Sequence, residues 1–139
     1  MTRQDLIRGL NEDLAGELGT ILRYNYQAGK VEGMAGEHLR EMLREELIDE
    51  LGHAAFLTDV IVDLGGEPTT SAASFEKPES LQQMLELDLA REHADVVRYT
   101  QHARMAEELN EVELKVKLEE MAADEAGHAR KLSRILRGL

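Results

Sequence analysis

The sequence predicts an all-α fold: a four-helix bundle of two helical hairpins, with a long crossover between the second and third helices. Three observations lead there. Of 139 residues, 42% are hydrophobic, 32% charged and 4% aromatic, with only 2 Pro, a composition that suits long amphipathic helices better than sheet. Apolar residues recur at three- and four-residue steps through four stretches separated by breaks rich in Gly, Pro or Asn. The chain also repeats itself. A shift of 75 residues lays Asp49-Glu50-Leu51-Gly52-His53-Ala54 on Asp124-Glu125-Ala126-Gly127-His128-Ala129. The same shift matches Asp13-Leu14-Ala15 and Glu17 with Asp88-Leu89-Ala90 and Glu92, Arg23-Tyr24 with Arg98-Tyr99, and Leu43 and Leu57 with Leu118 and Leu132.

The first helix is expected over about residues 3–32. Thr2 with Asp5 opens it, and Ile7, Leu10, Leu14, Ile21, Tyr24, Ala28 and Val31 form its stripe, with Glu17 inside it. The Gly-rich stretch Gly33-Met34-Ala35-Gly36 is expected to end it and return the chain antiparallel. The second helix, about 37–64, carries Leu39, Leu43, Leu57, Val60 and Leu64, with Glu46, Glu50 and His53 at the centre of the same stripe. Three polar groups in a core stripe need partners, because an unpaired buried charge costs several kcal/mol. Gly65-Gly66-Glu67-Pro68 stops that helix, and residues 65–79 show no helical period. Fifteen extended residues reach roughly 50 Å and a 28-residue helix is about 42 Å long. The crossover can therefore run the length of the bundle and set helices two and three parallel. The third helix, about 80–108, starts at Ser80 and repeats the first through Leu81, Leu85, Leu89, Val96, Tyr99 and Ala103, with Glu92 where Glu17 stood. Asn110 with Glu113 reads as the capping box of the fourth, about 111–137, whose stripe of Leu114, Leu118, Met121, Leu132, Ile135 and Leu139 contains Glu125 and His128. Because the repeat requires the halves to pack together, residues 1–139 are expected to form a single domain.

Composition excludes several classes of function. The net charge of -12 lacks the basic stripe that nucleic-acid binding needs, and it attracts cations while also keeping a helical protein soluble. No apolar run approaches the 18 residues of a membrane span, and the N-terminus lacks the apolar core of a signal peptide, so a soluble cytoplasmic protein is expected. With no Cys there is no disulfide, thiolate zinc site, iron–sulfur cluster or fused rubredoxin. Any metal must be held by oxygen and nitrogen.

The repeat supplies such donors. In Glu-x-x-His the two side chains are neighbours on one helical face and can converge on a cation. Twenty Glu and 5 His would by chance give about 0.7 such pairs, so one copy is weak evidence and the repeat is strong. The lone Glu precedes its Glu-x-x-His by 33 residues in both halves. The candidate constellation is therefore Glu17, Glu50, His53, Glu92, Glu125 and His128, four carboxylates and two imidazoles that balance and suit two divalent ions, iron or manganese. Solvated surface charge is the ordinary explanation of a lone Glu or His, but it does not account for matching positions in two apolar stripes. Around this set, Asp49 and Asp124 are candidates to orient a ligand His or plain surface acids. Tyr24 and Tyr99 are candidates to reach a carboxylate or simply core aromatics. Glu46 lines an entry path, forms a third cation site or is a half-solvated acid. His38, His93 and His102 lack the paired spacing and read as surface residues.

These motifs resemble those of the ferritin-like di-iron carboxylate superfamily, and within it most closely bacterioferritin. Leu10-Asn11 with Glu17-Leu18 and Tyr24 looks like that family's first-helix motif. Asp49-Glu50-x-x-His53-Ala54 followed by Leu64-Gly65-Gly66-x-Pro68 looks like its second helix and turn. Asp88-Leu89-Ala90-x-Glu92 and Asp124-Glu125-x-Gly127-His128 look like its third and fourth. The resemblance implies that Glu50 and Glu125 bridge two irons, with Glu17 and His53 completing one and Glu92 and His128 the other. It implies ferroxidase activity on Fe(II), with dioxygen or hydrogen peroxide as oxidant, in iron storage or detoxification. Bacterioferritins bind haem through a Met directly after the bridging Glu of the second helix; here that residue is Leu51, so no haem is expected.

Two other classes compete. One is a redox enzyme on the same fold, a rubrerythrin-like peroxidase or a manganese catalase-like protein. The other is a non-catalytic metal-binding bundle. The resemblance also implies a homo-oligomer, at least a dimer formed through the flank of the first two helices. Because the sequence stops at Leu139, where the family's short fifth helix would begin, a dimer or a small twelve-subunit shell is expected rather than a 24-subunit cage.

Overall fold

A computed structural model describes all residues from Met1 to Leu139. It contains four α-helices and no strand: α1 (Arg3–Lys30), α2 (Gly33–Asp63), α3 (Leu81–Glu108) and α4 (Val112–Gly138). None is long and apolar enough to cross a membrane. The chain divides into two compact units, one of Met1–Asp13 with Glu76–Leu139 and the other of Leu14–Phe75.

Local chemistry sets the helix ends. Thr2 and Asp5 form the expected reciprocal cap: the Asp5 N–H donates to Thr2 Oγ1 at 3.2 Å and the Thr2 N–H to Asp5 Oδ2 at 2.9 Å. Those contacts hold the Asp5 carboxyl below its ordinary value, with the backbone hydrogen bond from Thr2 as the main cause. At the other end of α1 the turn is tighter than expected. Only Val31 and Glu32 separate α1 from α2, and Gly33-Met34-Ala35-Gly36 forms the first turn of α2. Gly33, with a φ of +79°, lets the chain reverse there. A Cβ on Gly36 would stand 3.0 Å from the Val31 carbonyl carbon, so glycine permits the close return. Arg40 then donates to the Ala28 and Val31 carbonyls at 2.8 and 2.9 Å, satisfying orphan acceptors at the end of α1.

α2 ends in a Schellman turn, with Gly65 at φ +88° and the Gly66 N–H donating to the Ile61 carbonyl at 2.8 Å. α3 begins on Ser80, whose side chain accepts from the Gln83 N–H at 3.1 Å. The expected Asn110–Glu113 capping box does not form. Asn110 is the left-handed residue that closes α3, at φ +59°, with the Glu111 N–H donating to the Ala106 carbonyl at 2.9 Å. Glu111 is the N-cap of α4 and makes no side-chain cap bond. Asn meets both requirements in sequence; the three-residue return from α3, Leu109 to Glu111, selects the C-terminal one.

Residues 64–80 form the long connection. In the second unit it lies along α1: the Ala73 N–H donates to the Ala15 carbonyl at 2.9 Å, and the Phe75 ring packs 6.2 Å from that of Tyr26. Gly19 makes room for it, because a Cβ there would meet the Ala73 carbonyl oxygen at 2.6 Å. A glycine inside a helix costs about 1 kcal/mol relative to alanine, and the loop contact is the reason it is tolerated.

The buried faces are more polar than the apolar stripes suggest. α2 and α4 follow expectation, with Glu46, Glu50 and His53 between Leu43 and Leu57, and Glu125 and His128 between Leu118 and Leu132. On α3, however, Asp88, Glu92, Asp95, Tyr99 and His102 are buried, while Leu89 and Val96 are only half-buried. On α1, Asp13, Thr20, Arg23 and Gln27 are buried beside the expected apolar residues. Within the first unit the cause is visible. Asp13 accepts from Arg98 Nε at 3.1 Å and lies 2.6 Å from His102 Nδ1, while Arg98 Nη2 donates to Asp95 at 2.6 Å. His102 is thus a core residue and not the expected surface histidine. Its ring lies over Gly9, where a Cβ would fall 2.7 Å from Nε2.

Candidate metal centre

Each hairpin presents one triad of ligand-type side chains. In the second unit α1 supplies Glu17 and α2 supplies Glu50 and His53, which are 1%, 0% and 7% exposed. The i, i+3 spacing places Glu50 and His53 on one face, and Glu17 meets them from the neighbouring helix. His53 Nδ1 lies 3.5 Å from Glu17 Oε1 and 3.8 Å from Glu50 Oε2. In the first unit α3 supplies Glu92 and α4 supplies Glu125 and His128, 0%, 0% and 4% exposed. His128 Nδ1 lies 3.8 Å from Glu92 Oε1 and 3.7 Å from Glu125 Oε1. Within each triad one ligand atom per residue lies within 4.8 Å of the others.

The donor set fits a hard or borderline divalent ion. A triad of two carboxylates and one imidazole contains four acceptor oxygens but, with neutral His, a single N–H. Buried anions of this kind are stabilised by a cation, and mixed oxygen and nitrogen donors suit iron or manganese. Both histidines turn Nδ1 toward their carboxylates. The surrounding shell is less symmetrical. Glu46, one turn before Glu50, is buried rather than half-solvated, and its repeat counterpart is the buried Met121. Tyr24 and Tyr99 are both fully buried. Asp49 and Asp124 occupy exposed positions, as do His38 and His93.

Sequence reasoning missed the buried network around Asp13. Burial pushes the Asp13 carboxyl above its ordinary value, opposed by the His102 hydrogen bond and by the His102 and Arg98 charges. Burial works to lower Arg98, and the Asp95 and Asp13 charges outweigh it, leaving the guanidinium above its ordinary value. The signal was present in the repeat, which pairs Asp13 with Asp88, Arg23 with Arg98 and Gln27 with His102.

With the triads in place, comparison with known proteins is decisive. The family model described as a ferritin-like domain matches residues 7–139. The chain belongs to the ferritin-like family. A crystal structure of a ferritin-like, diiron-carboxylate protein from Bacillus anthracis superposes with a TM-score of 0.95 at 41% identity, covering 98% of this chain and 99% of that one. BfrA from Mycobacterium tuberculosis gives a TM-score of 0.90 at 30% identity, covering 99% of this chain and 86% of that one. The bacterioferritin of Mycobacterium leprae is 34% identical over 125 residues, 89% of this chain and 79% of the relative. The ferritin-like fold is a four-helix bundle of two hairpins with a long crossover between the second and third helices, as the sequence predicts.

Proposed function

We propose that the two triads form one centre that binds two Fe(II) ions per chain and oxidises them with dioxygen or hydrogen peroxide, in iron storage or detoxification. The observation that carries this reading is the duplicated triad: two Glu and one His, buried and mutually close in each hairpin, on a chain that matches a diiron-carboxylate protein over its whole length. Glu50 and Glu125 are the bridging residues in this reading. Glu17 with His53, and Glu92 with His128, each complete one metal. Manganese is the alternative metal for the same donors.

The residues define the chemistry. Four buried carboxylates attract Fe(II) and stabilise the additional positive charge that appears on oxidation. A pair of adjacent Fe(II) ions supplies two electrons to one oxidant. His53 and His128 would each hold one metal through an imidazole nitrogen, and burial of all six side chains keeps bulk water from the site. At the position after Glu50, Leu51 offers no donor to haem iron and is half-exposed on α2, so the protein acts without haem ligated there. The absence of Soret absorption in purified protein is the corresponding expectation.

The assembly is a homo-oligomer, at least a dimer. Leu22 on α1 and Ile48, Leu51 and Val62 on α2 are 52%, 70%, 53% and 56% exposed, an apolar face suited to a second copy. The test of activity is stopped-flow oxidation of Fe(II) with dioxygen or with peroxide, counting oxidant consumed and iron retained per chain. Oxidation no faster than in buffer rules out a ferroxidase. Peroxide disproportionation by manganese-loaded protein, with the iron form inert, assigns it to the catalase-like class.

A further inference from the structure

An open groove of about 520 Å³ runs between α3 and α4, within one compact unit. α4 contributes the small residues Ala126, Ala129 and Ser133, at three- and four-residue steps, and α3 contributes Val96 and Val97, the latter 57% exposed. His93, Arg130 and Arg137 complete the lining. Arg130 turns back along α4, with Nη2 4.0 Å from where a Cβ on Gly127 would stand. Neither Arg130 nor Arg137 is ion-paired or hydrogen-bonded within the chain, although 28 of its 139 residues are acids. The exposed acids that flank the groove in sequence, Glu86 and Asp124, do not line it, and Glu86 Oε1 accepts from Gln82 at 3.0 Å.

Helix polarity explains part of this charge, because cations near the end of α4 complement the macrodipole. That effect fades within a turn. It does not account for Arg130, two turns before the end, or for His93 and exposed Val97, which belong to α3. The repeat sharpens the point. In the other hairpin the floor positions are equally uncharged, with Ile21, Leu22 and Ala54 matching Val96, Val97 and Ala129. The positions of His93, Arg130 and Arg137, however, are held there by Leu18, Ala55 and Val62. That face is apolar throughout, whereas this one combines an apolar floor with unpaired cations and suits a partner that is apolar and acidic at once.

We propose that this groove docks an acidic amphipathic helix of a different protein, with the helix's apolar stripe on Val96, Val97 and Ala129 and two of its acids on Arg130 and Arg137. The two arginines stand two turns apart on α4, about 10.5 Å at 1.5 Å per residue. Acids at i and i+7 of a helix laid along α4 have the same separation. The small side chains of Ala126, Ala129 and Ser133 let a third helix approach closely and seat its ridge between α3 and α4. Shape disfavours a small ligand, since a small-molecule pocket buries most of what it holds and this groove is open. Charge disfavours nucleic acid and anionic membranes, because each spreads negative charge well beyond the groove, over a chain whose net charge is -12. The inference is independent of the metal reading.

The probe is a synthetic peptide of about two heptads, locked helical by a lactam bridge, with Leu and Ala on one face and Glu at two positions seven residues apart. Fluorescence anisotropy with the full chain is expected to show binding at low salt that weakens as salt is raised. Chemical-shift changes should be confined to residues 93–97 and 126–137. R130E/R137E is expected to bind the peptide at least about tenfold more weakly, with helical content and native mass unchanged. A second peptide carrying Lys in place of both Glu should bind R130E/R137E and not wild type. Wild type that binds the Glu peptide no better than the Lys peptide, or R130E/R137E that binds the Glu peptide as wild type does, overturns the proposal. A smaller native mass for R130E/R137E assigns the groove to a second copy, and Arg-dependent retention on phosphatidylglycerol vesicles assigns it to lipid; either result also overturns it. If R130E/R137E does not fold, R130E replaces it in the same peptide exchange.

Discussion

The two hairpins share the same buried triad and differ on their outer faces. His53 Nδ1 stands 3.5 and 3.8 Å from its two carboxylates and His128 Nδ1 stands 3.8 and 3.7 Å from its own, so the two triads agree closely in their Nδ1–carboxylate distances. On the outer faces Leu18, Ala55 and Val62 correspond to His93, Arg130 and Arg137. Losing the partner of a buried carboxylate is strongly destabilising, so the interior positions are constrained in both copies. A solvent-facing position is constrained only by what docks on it. A third layer lies between these extremes: where one hairpin has Gln27, the other has His102, both buried, and only the second is titratable.

The comparison can be broken at each layer, and the interior should break hardest. Glu50→Ala and Glu125→Ala are expected to abolish Fe(II) oxidation equally, beyond the roughly 10–100-fold loss typical of an outer partner of a metal site, with helical circular dichroism retained. A variant pair with unequal loss would show that the halves are not equivalent. Next in size is the apolar outer face of the first hairpin. If that face joins two copies, Leu51→Lys should lower the mass of the assembly in sedimentation while each chain still binds metal. Gly19→Val should destabilise the second unit by about 1–3 kcal/mol in denaturant unfolding, since the added carbons meet the Ala73 carbonyl oxygen and force the loop to shift.

The smallest effect concerns Asp13. Its folded carboxyl binds a proton more tightly than the unfolded chain, so its contribution to stability is fully present below the ordinary value of 3.8 and is lost as pH rises through the folded value. Asp13→Asn removes that dependence. The stability of the variant relative to wild type should therefore improve steadily as pH rises from about 4, as measured by denaturant midpoints. A difference that is constant with pH would show that Asp13 does not titrate with folding.

Much of this was legible in the sequence, for a definite reason. Glu17, Glu50, His53, Glu92, Glu125 and His128 stand at helical spacing in stripes that are otherwise apolar, and a duplicated exception to a hydrophobic pattern is visible without coordinates. Helix existence was equally legible, because caps such as Thr2 with Asp5 and Ser80 carry their own signal. What escaped was the buried polar face of α1 and α3. Asp13, Asp95, Arg98 and His102 look like solvent-facing charges until a partner from another helix is placed against them, and pairing across 85 or 89 residues is not a local property. Asn110 escaped differently. Left-handed closure of one helix and capping of the next call for the same residue type, and the length of the turn decides between them.

The central claim is that the triads are equivalent halves of one two-metal centre, and metal stoichiometry tests it most directly. Anaerobic titration of apoprotein with Fe(II), followed by the absorption that develops on exposure to dioxygen, should break at two Fe(II) per chain. The same titration of His53→Ala and of His128→Ala should break near one, with both variants losing rapid oxidation. A wild-type break at one per chain, or rapid oxidation that survives in either variant, would contradict the account.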